Sequence, residues 1–157
     1  MQVDPRGQRF GAVLSTIVLI VVLVTGSWVL LAAQAVVFAM GTFLGLRYAP
    51  YGLIYKTFVR PRIGPPQELE AAGPPRFAQG VGLVFALVGV VGYAFGNGWG
   101  ITWLGILATA FALGAAFLNA AFGFCLGCET YLLIQRLRGG LRPPDKSKAN
   151  SDREVPA

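Results

Sequence analysis

Four stretches of nearly unbroken apolar residues dominate the chain: Phe10 to Ser27, Trp28 to Leu46, Phe77 to Phe95, and Ile101 to about Phe124. Each is close to the ~20 residues that a helix needs to cross the hydrocarbon core of a bilayer. Two kinds of connection separate them. Gly26-Ser27 and Asn97-Gly98-Trp99-Gly100 are short and uncharged, whereas the segment from Arg47 to Arg76 is long and carries both signs of charge. The pattern predicts an all-α membrane bundle of four transmembrane helices, arranged as two hairpins, with spans at about 10–27, 28–46, 77–95 and 101–124.

The polar segments refine this outline. Asp4-Pro5 suits a helix start, because proline is pre-set for a first turn. In the long connection, Pro50 opens a segment to Arg60 in which Ile54, Tyr55 and Phe58 can share one face while Lys56 and Arg60 reach for headgroups, as in an interfacial helix. Pro61, Pro65-Pro66 and Pro74-Pro75 then favour extended, polyproline-like backbone, with Glu68 and Glu70 exposed between them. The last apolar run, Ile101 to Ile134, is too long for one straight span, so a break is expected at Gly123 or Gly127. Beyond it, Glu129 to Arg138 is amphipathic, with Tyr131, Leu132 and Ile134 apolar and Gln135, Arg136 and Arg138 polar, like a helix lying on the membrane surface. From Gly139 the composition turns to Gly, Pro, Lys, Ser and Asp, which predicts one domain over 1–138 and a disordered tail over 139–157.

Inside the spans, Gly41-Thr42-Phe43-Leu44-Gly45 has the G-x-x-x-G spacing, and Gly89, Gly92, Gly105 and Gly114 give other helices small faces that permit close approach. Internal packing of the bundle accounts for these better than a dedicated dimer face. Gln34 and Asn119 are the polar residues deepest in the spans, and interhelical hydrogen bonds explain them better than a transport route. No charged residue lies inside a span, so the usual marker of an ion or proton path is missing. A faint internal repeat aligns Leu44-Gly45-Leu46-Arg47 with Phe122-Gly123-Phe124-Cys125, which would put Arg47 in the place that Cys125 takes in the second half.

Charge adds an orientation. Hydrophobic residues make up 55% of the chain and charged ones 13%, against roughly 25% charged in an ordinary soluble domain. Every Lys and Arg lies in the N-terminal arm, the long connection or the C-terminal segment from Arg136, so the positive-inside rule places both termini and the long connection in the cytoplasm. Trp28, Trp99 and Trp103 collect at the outer ends and Tyr48, Tyr51 and Tyr55 at the inner ends, as aromatic belts do. The net charge of +6 is spread over membrane-flanking segments, where topology and anionic headgroups already explain it, and no nucleic-acid partner is expected. Arg6 and Arg9 before an apolar run, with Ala33-Gln34-Ala35 after it, mimic a secretory signal. The run is longer than the ~7–15 residues of an h-region and contains its own turn, so a retained hairpin is expected.

Chemistry is confined to one place. Cys125 and Cys128 are the only cysteines, at C-x-x-C spacing, and the chain has no histidine. A three-residue offset lets two sulfurs meet across one turn, one attacking a partner's disulfide and the other resolving the mixed disulfide. Two small, soft side chains filling a helix interface is the competing account. A structural zinc site needs four ligands, and here there are two thiolates and no imidazole, which leaves only a dimer-bridging site or a two-coordinate soft ion. No metal and no cofactor is expected. If a new helix starts at Cys125, its dipole favours the thiolate; if the helix runs on, Arg47 would be the activating cation instead.

With these residues in place, the chain resembles a family of small bacterial membrane proteins, domain of unknown function 4395. The matching stretches are Val3 to Phe10, Phe58-Val59-Arg60-Pro61-Arg62, Gly73-Pro74-Pro75-Arg76-Phe77-Ala78, and Gly123-Phe124-Cys125-Leu126-Gly127-Cys128-Glu129-Thr130-Tyr131. The resemblance implies thiol or sulfane-sulfur handling at the bacterial inner membrane, with Cys125 and Cys128 as the reactive pair and a thioredoxin-like or sulfurtransferase protein as partner. It offers no second catalytic residue. The expected function is thus thiol-disulfide exchange or sulfur handling at the cytoplasmic face; the rival is a non-catalytic membrane scaffold or small permease with structural cysteines.

Overall fold

The computed structural model describes residues 2–64 and 70–138. Asp4 starts the first helix: its Oδ1 accepts the Arg6 N–H at 2.9 Å, and proline follows it in the first turn. This helix, α1, runs Pro5–Thr25 and stops at Gly26, which is left-handed (φ 64). Ser27 caps the next, its side chain accepting the Leu30 N–H at 3.3 Å, and α2 runs Trp28–Phe43. A left-handed Gly45 (φ 96) turns the chain away. There follow α3 (Pro50–Ile54), a π-helical turn (Tyr55–Val59) and α4 (Arg60–Ile63). The second hairpin comprises α5 (Gly73–Trp99) and α6 (Thr102–Phe122), and α7 (Leu126–Leu137) closes the described chain. A short antiparallel ribbon, unforeseen from the sequence, pairs β1 (Gln2–Val3) with β2 (Glu70–Ala71).

The architecture is all-α apart from that ribbon. Helix α5 packs between α2 and α6, and α1 lies against α6, while α1 and α2 touch little despite being joined by Gly26-Ser27. The core gathers Leu19 and Val22 from α1, Leu31, Ala35 and Phe38 from α2, Ala86 from α5 and Ala112 from α6. Glycine lets the second hairpin close: a Cβ on Gly92 would collide with the backbone of Gly105. Large apolar side chains face outward, Val24 at 81% exposure and Phe111 at 64% among them. A soluble monomer rarely leaves that much contiguous apolar surface in water; lipid is the solvent such faces suit.

Three helices are long and apolar enough to cross a membrane: Pro5–Thr25, the Gly73–Gly96 part of α5, and Thr102–Phe122. The fourth expected span is a shorter apolar helix of 16 residues, α2. It ends early because Gly45 reverses the chain and because the Arg76 guanidinium donates to the carbonyls of Thr42 (3.0 and 2.9 Å) and Phe43 (2.9 Å). A cation on the last carbonyls of a helix also complements its dipole.

The long connection departs from expectation in several respects. Pro61, Pro74 and Pro75 lie in helices rather than extended backbone: Pro74 and Pro75 fall in the first turn of α5, where a missing N–H breaks no hydrogen bond, and Pro61 follows directly on the π-turn. Glu70 is in the ribbon. Tyr51 and Tyr55 do not belong to an interfacial belt, and Tyr55 does not share a face with Ile54 and Phe58. Both phenols turn inward, where their hydroxyls find acceptors: Tyr51 donates to Gln34 Oε1 at 2.6 Å and Tyr55 to Asp4 Oδ2 at 2.9 Å. Ile54 and Phe58 are left outside, 41% and 63% exposed. Gly41 packs against Gln79 of α5, but Gly45 lies in the turn with open space around it, so the two form no common helix face. Pro65, Pro66, Glu68 and the predicted tail 139–157 lie outside the described residues.

Candidate functional site

The site begins with the end of α6. Gly123 adopts φ +70, a conformation that glycine enters without steric cost; its N–H donates to the Asn119 carbonyl at 3.0 Å and the next N–H, of Phe124, to the Leu118 carbonyl at 3.3 Å. Released from the helix, Cys125 is extended (φ −91, ψ 98) and becomes the N-cap of α7. Its Sγ accepts the Cys128 N–H at 3.3 Å, and its carbonyl accepts the Glu129 N–H at 3.0 Å. Serine or aspartate oxygen ordinarily fills this capping role; here a sulfur does. The expected break is therefore at Gly123, Gly127 lies within α7, and the continuous-helix alternative does not apply.

The two sulfurs are joined in a disulfide between Cα atoms 5.2 Å apart. Both residues are half-buried. When the bond is open, the positive end of the α7 dipole favours negative charge on the capping sulfur. Among the described residues no group of three or more His, Cys, Asp or Glu comes together.

Helix α7 is held against the start of α5. Gly127 sits directly on Ala78, where an added Cβ would come within 2.6 Å of the Ala78 Cα and Cβ. The Tyr131 ring packs on Phe77 with centroids 5.7 Å apart, and Gln135 donates to the Tyr131 hydroxyl at 2.9 Å. Gln135, expected on the polar face, is thus partly turned to the protein, while Leu133 and Leu137 are exposed at 55% and 78%. The cation beside the α6–α7 break is Arg9 rather than Arg47. Arg9 donates to the Ala120 carbonyl at 3.5 Å, and its Nε would lie 3.8 Å from a methyl group on Gly123. Arg47 stacks on Tyr48, 5.2 Å from the ring centre, and lines a cavity together with Gly7 and Gly11 on the opposite face of α1 from Arg9.

A family model described as Domain of unknown function (DUF4395) matches residues 3–136. The chain belongs to that family. The DUF4395 region extends from the ribbon through α7 and contains both cysteines, the Gly123 break and Arg9. No curated protein and no solved structure matches the chain. What DUF4395 proteins do must therefore be argued from the site.

The sequence singled out Cys125 and Cys128, and they meet. It missed Arg9 as a neighbour of the break and Ala78 as the seat of Gly127. The only local signal was an arginine immediately before an apolar run, and its partners lie more than a hundred residues away.

Proposed function

We propose that this chain is an inner-membrane protein whose four apolar helices span the bilayer, with both termini and α7 at the cytoplasmic face, and that Cys125 and Cys128 exchange electrons with a thioredoxin-like or sulfurtransferase partner. One observation supports this most: a C-x-x-C pair at the start of a helix, with the first sulfur on the N–H of the second cysteine and bonded to its sulfur. Cysteines that merely fill an interface have no need of that position.

The exchange balances as follows. With the pair reduced, the Cys125 thiolate attacks one sulfur of a partner disulfide, forming a mixed disulfide and releasing the partner's other sulfur as a thiolate. The Cys128 thiolate then attacks Cys125 Sγ, closing the internal disulfide and releasing the second partner thiolate. Two electrons pass to the partner, and the two protons lost by the pair are taken up by the partner's thiols. Reversed, the same steps let the disulfide oxidise a partner dithiol.

Cys128→Ala removes the resolving thiol and is expected to accumulate a mixed disulfide between Cys125 and a cellular protein, visible as a reductant-sensitive band on a non-reducing gel. If Cys128→Ala traps nothing and the Cys125→Ala/Cys128→Ala double variant retains function, the cysteines are structural and the proposal fails.

A further inference from the structure

A second site lies on the other side of α1 from the cysteines. Between the first turns of α1, the end of α2 and the α3–π–α4 segment is a cavity of about 240 Å³. Val37 lies on its inner side with the side chains of Tyr51 and Tyr55, which pack on Gly11 and Gly7, and Arg47, Lys56 and Arg60, all exposed, line its solvent side. Asp4 is the only carboxylate among the residues lining it. Both Asp4 oxygens are already engaged, Oδ1 by the Arg6 N–H and Oδ2 by the Tyr55 hydroxyl. Burial first, and then the neighbouring Asp4, push the Tyr55 hydroxyl up from its ordinary value, so it stays a protonated donor to Asp4 at neutral pH. Three cations therefore face the cavity against one carboxylate that is turned to other partners.

The backbone is shaped to hold this arrangement. The π-turn replaces the usual i→i+4 ladder with a bond from the Arg60 N–H to the Tyr55 carbonyl, widening the turn that carries Lys56 and Arg60 to the same cavity. Such π-turns are rare and occur often at functional sites. Gly52 allows the preceding crossing, since a Cβ there would run into the Leu46 carbonyl. The volume is below that of a drug-sized pocket, and basic pockets between membrane helices suit phosphate headgroups.

We propose that this cavity binds a phosphate-type oxyanion, with its charged oxygens at Arg47, Lys56 and Arg60. When the phosphate belongs to a lipid, its glycerol lies against Val37 and the side chains of Tyr51 and Tyr55. Two guanidinium groups offer planar, forked donors to such oxygens and Lys56 adds a point charge. The site does not involve the cysteines and stands whether or not they exchange electrons.

The test uses the full-length chain in neutral detergent, with thermal unfolding followed as three probes are titrated: dioleoylphosphatidylglycerol, dioleoylphosphatidylcholine and inorganic phosphate. The anionic lipid is expected to raise the midpoint and the zwitterionic lipid to leave it unchanged. If inorganic phosphate matches the anionic lipid, the natural source is a free phosphate; if it does nothing, the source is a headgroup. Arg47→Gln, Lys56→Gln and Arg60→Gln should each weaken the apparent affinity about fivefold, whereas Arg136→Gln/Arg138→Gln on α7 should retain it. Lys56→Gln decides the matter if the arginine variants do not fold, because it alters an exposed side chain. No stabilisation by either anion, or an equal loss in the α7 control, overturns the proposal.

Discussion

Gly123 carries a conformation on which the site depends, and its cost to any other residue can be measured. At φ +70 a side chain strains against its own backbone, while a methyl group there would meet nothing nearer than Arg9 Nε at 3.8 Å. Gly123→Ala is therefore expected to lower stability by about 1 kcal/mol through backbone strain alone, seen as a lower unfolding midpoint in detergent. An unchanged midpoint would mean that the break forms without the left-handed residue. The residue scale is also where the sequence spoke most clearly. Cys125, Cys128 and Gly123 are separated by a few positions, so spacing alone announces them. Arg9 announces nothing, because what gives it meaning is the Ala120 carbonyl, a neighbour only after α1 has packed on α6.

Among the elements, α7 has the most to reveal, because it carries the disulfide in its first turn and packs closely on the start of α5. Gly127 and Ala78 touch with no room for a Cβ. Gly127→Val should push α7 away from α5 at a cost of about 1–3 kcal/mol, read as faster amide hydrogen exchange in α7 with α1 and α6 unaffected. Protection in α7 equal to wild type would show that Tyr131 on Phe77 suffices to dock it. Helix positions were largely visible as apolar runs, but the connection was not. Proline-rich composition argued for extended chain around Pro61 and Pro74-Pro75, yet Pro74 and Pro75 occupy the first turn of α5, where the ring costs nothing, and Pro61 follows directly on the π-turn. The inward turn of Tyr51 and Tyr55 was hidden for a different reason: Gln34, deep in α2, and Asp4, before α1, are the acceptors that draw them in, and nothing near the tyrosines in sequence signals either one.

For the whole molecule, the hairpin tips near Ser27 and Gly100 and the end bearing Asp4, Arg76 and Cys125 are opposite poles of the bundle. If the positive-inside rule governs it, single cysteines introduced into the Cys125→Ala/Cys128→Ala background should respond oppositely to a membrane-impermeant maleimide on intact cells. Ser27→Cys should label directly, and Arg138→Cys only after permeabilisation. The reverse pattern would place the cysteine pair on the exported side. The apolar runs marked the two poles of the bundle, but not the unequal lengths of the helices. Helix α2, at 16 residues, is about 24 Å long, against ~30 Å of hydrocarbon in a typical bilayer, and Arg76 fixes its lower end by holding the Thr42 and Phe43 carbonyls. If all four apolar helices span the bilayer as proposed, the shortness of α2 is expected to draw headgroups toward the midplane beside it. A protein so built would deform its membrane locally, and sort toward thin regions or gather neighbours that share the mismatch.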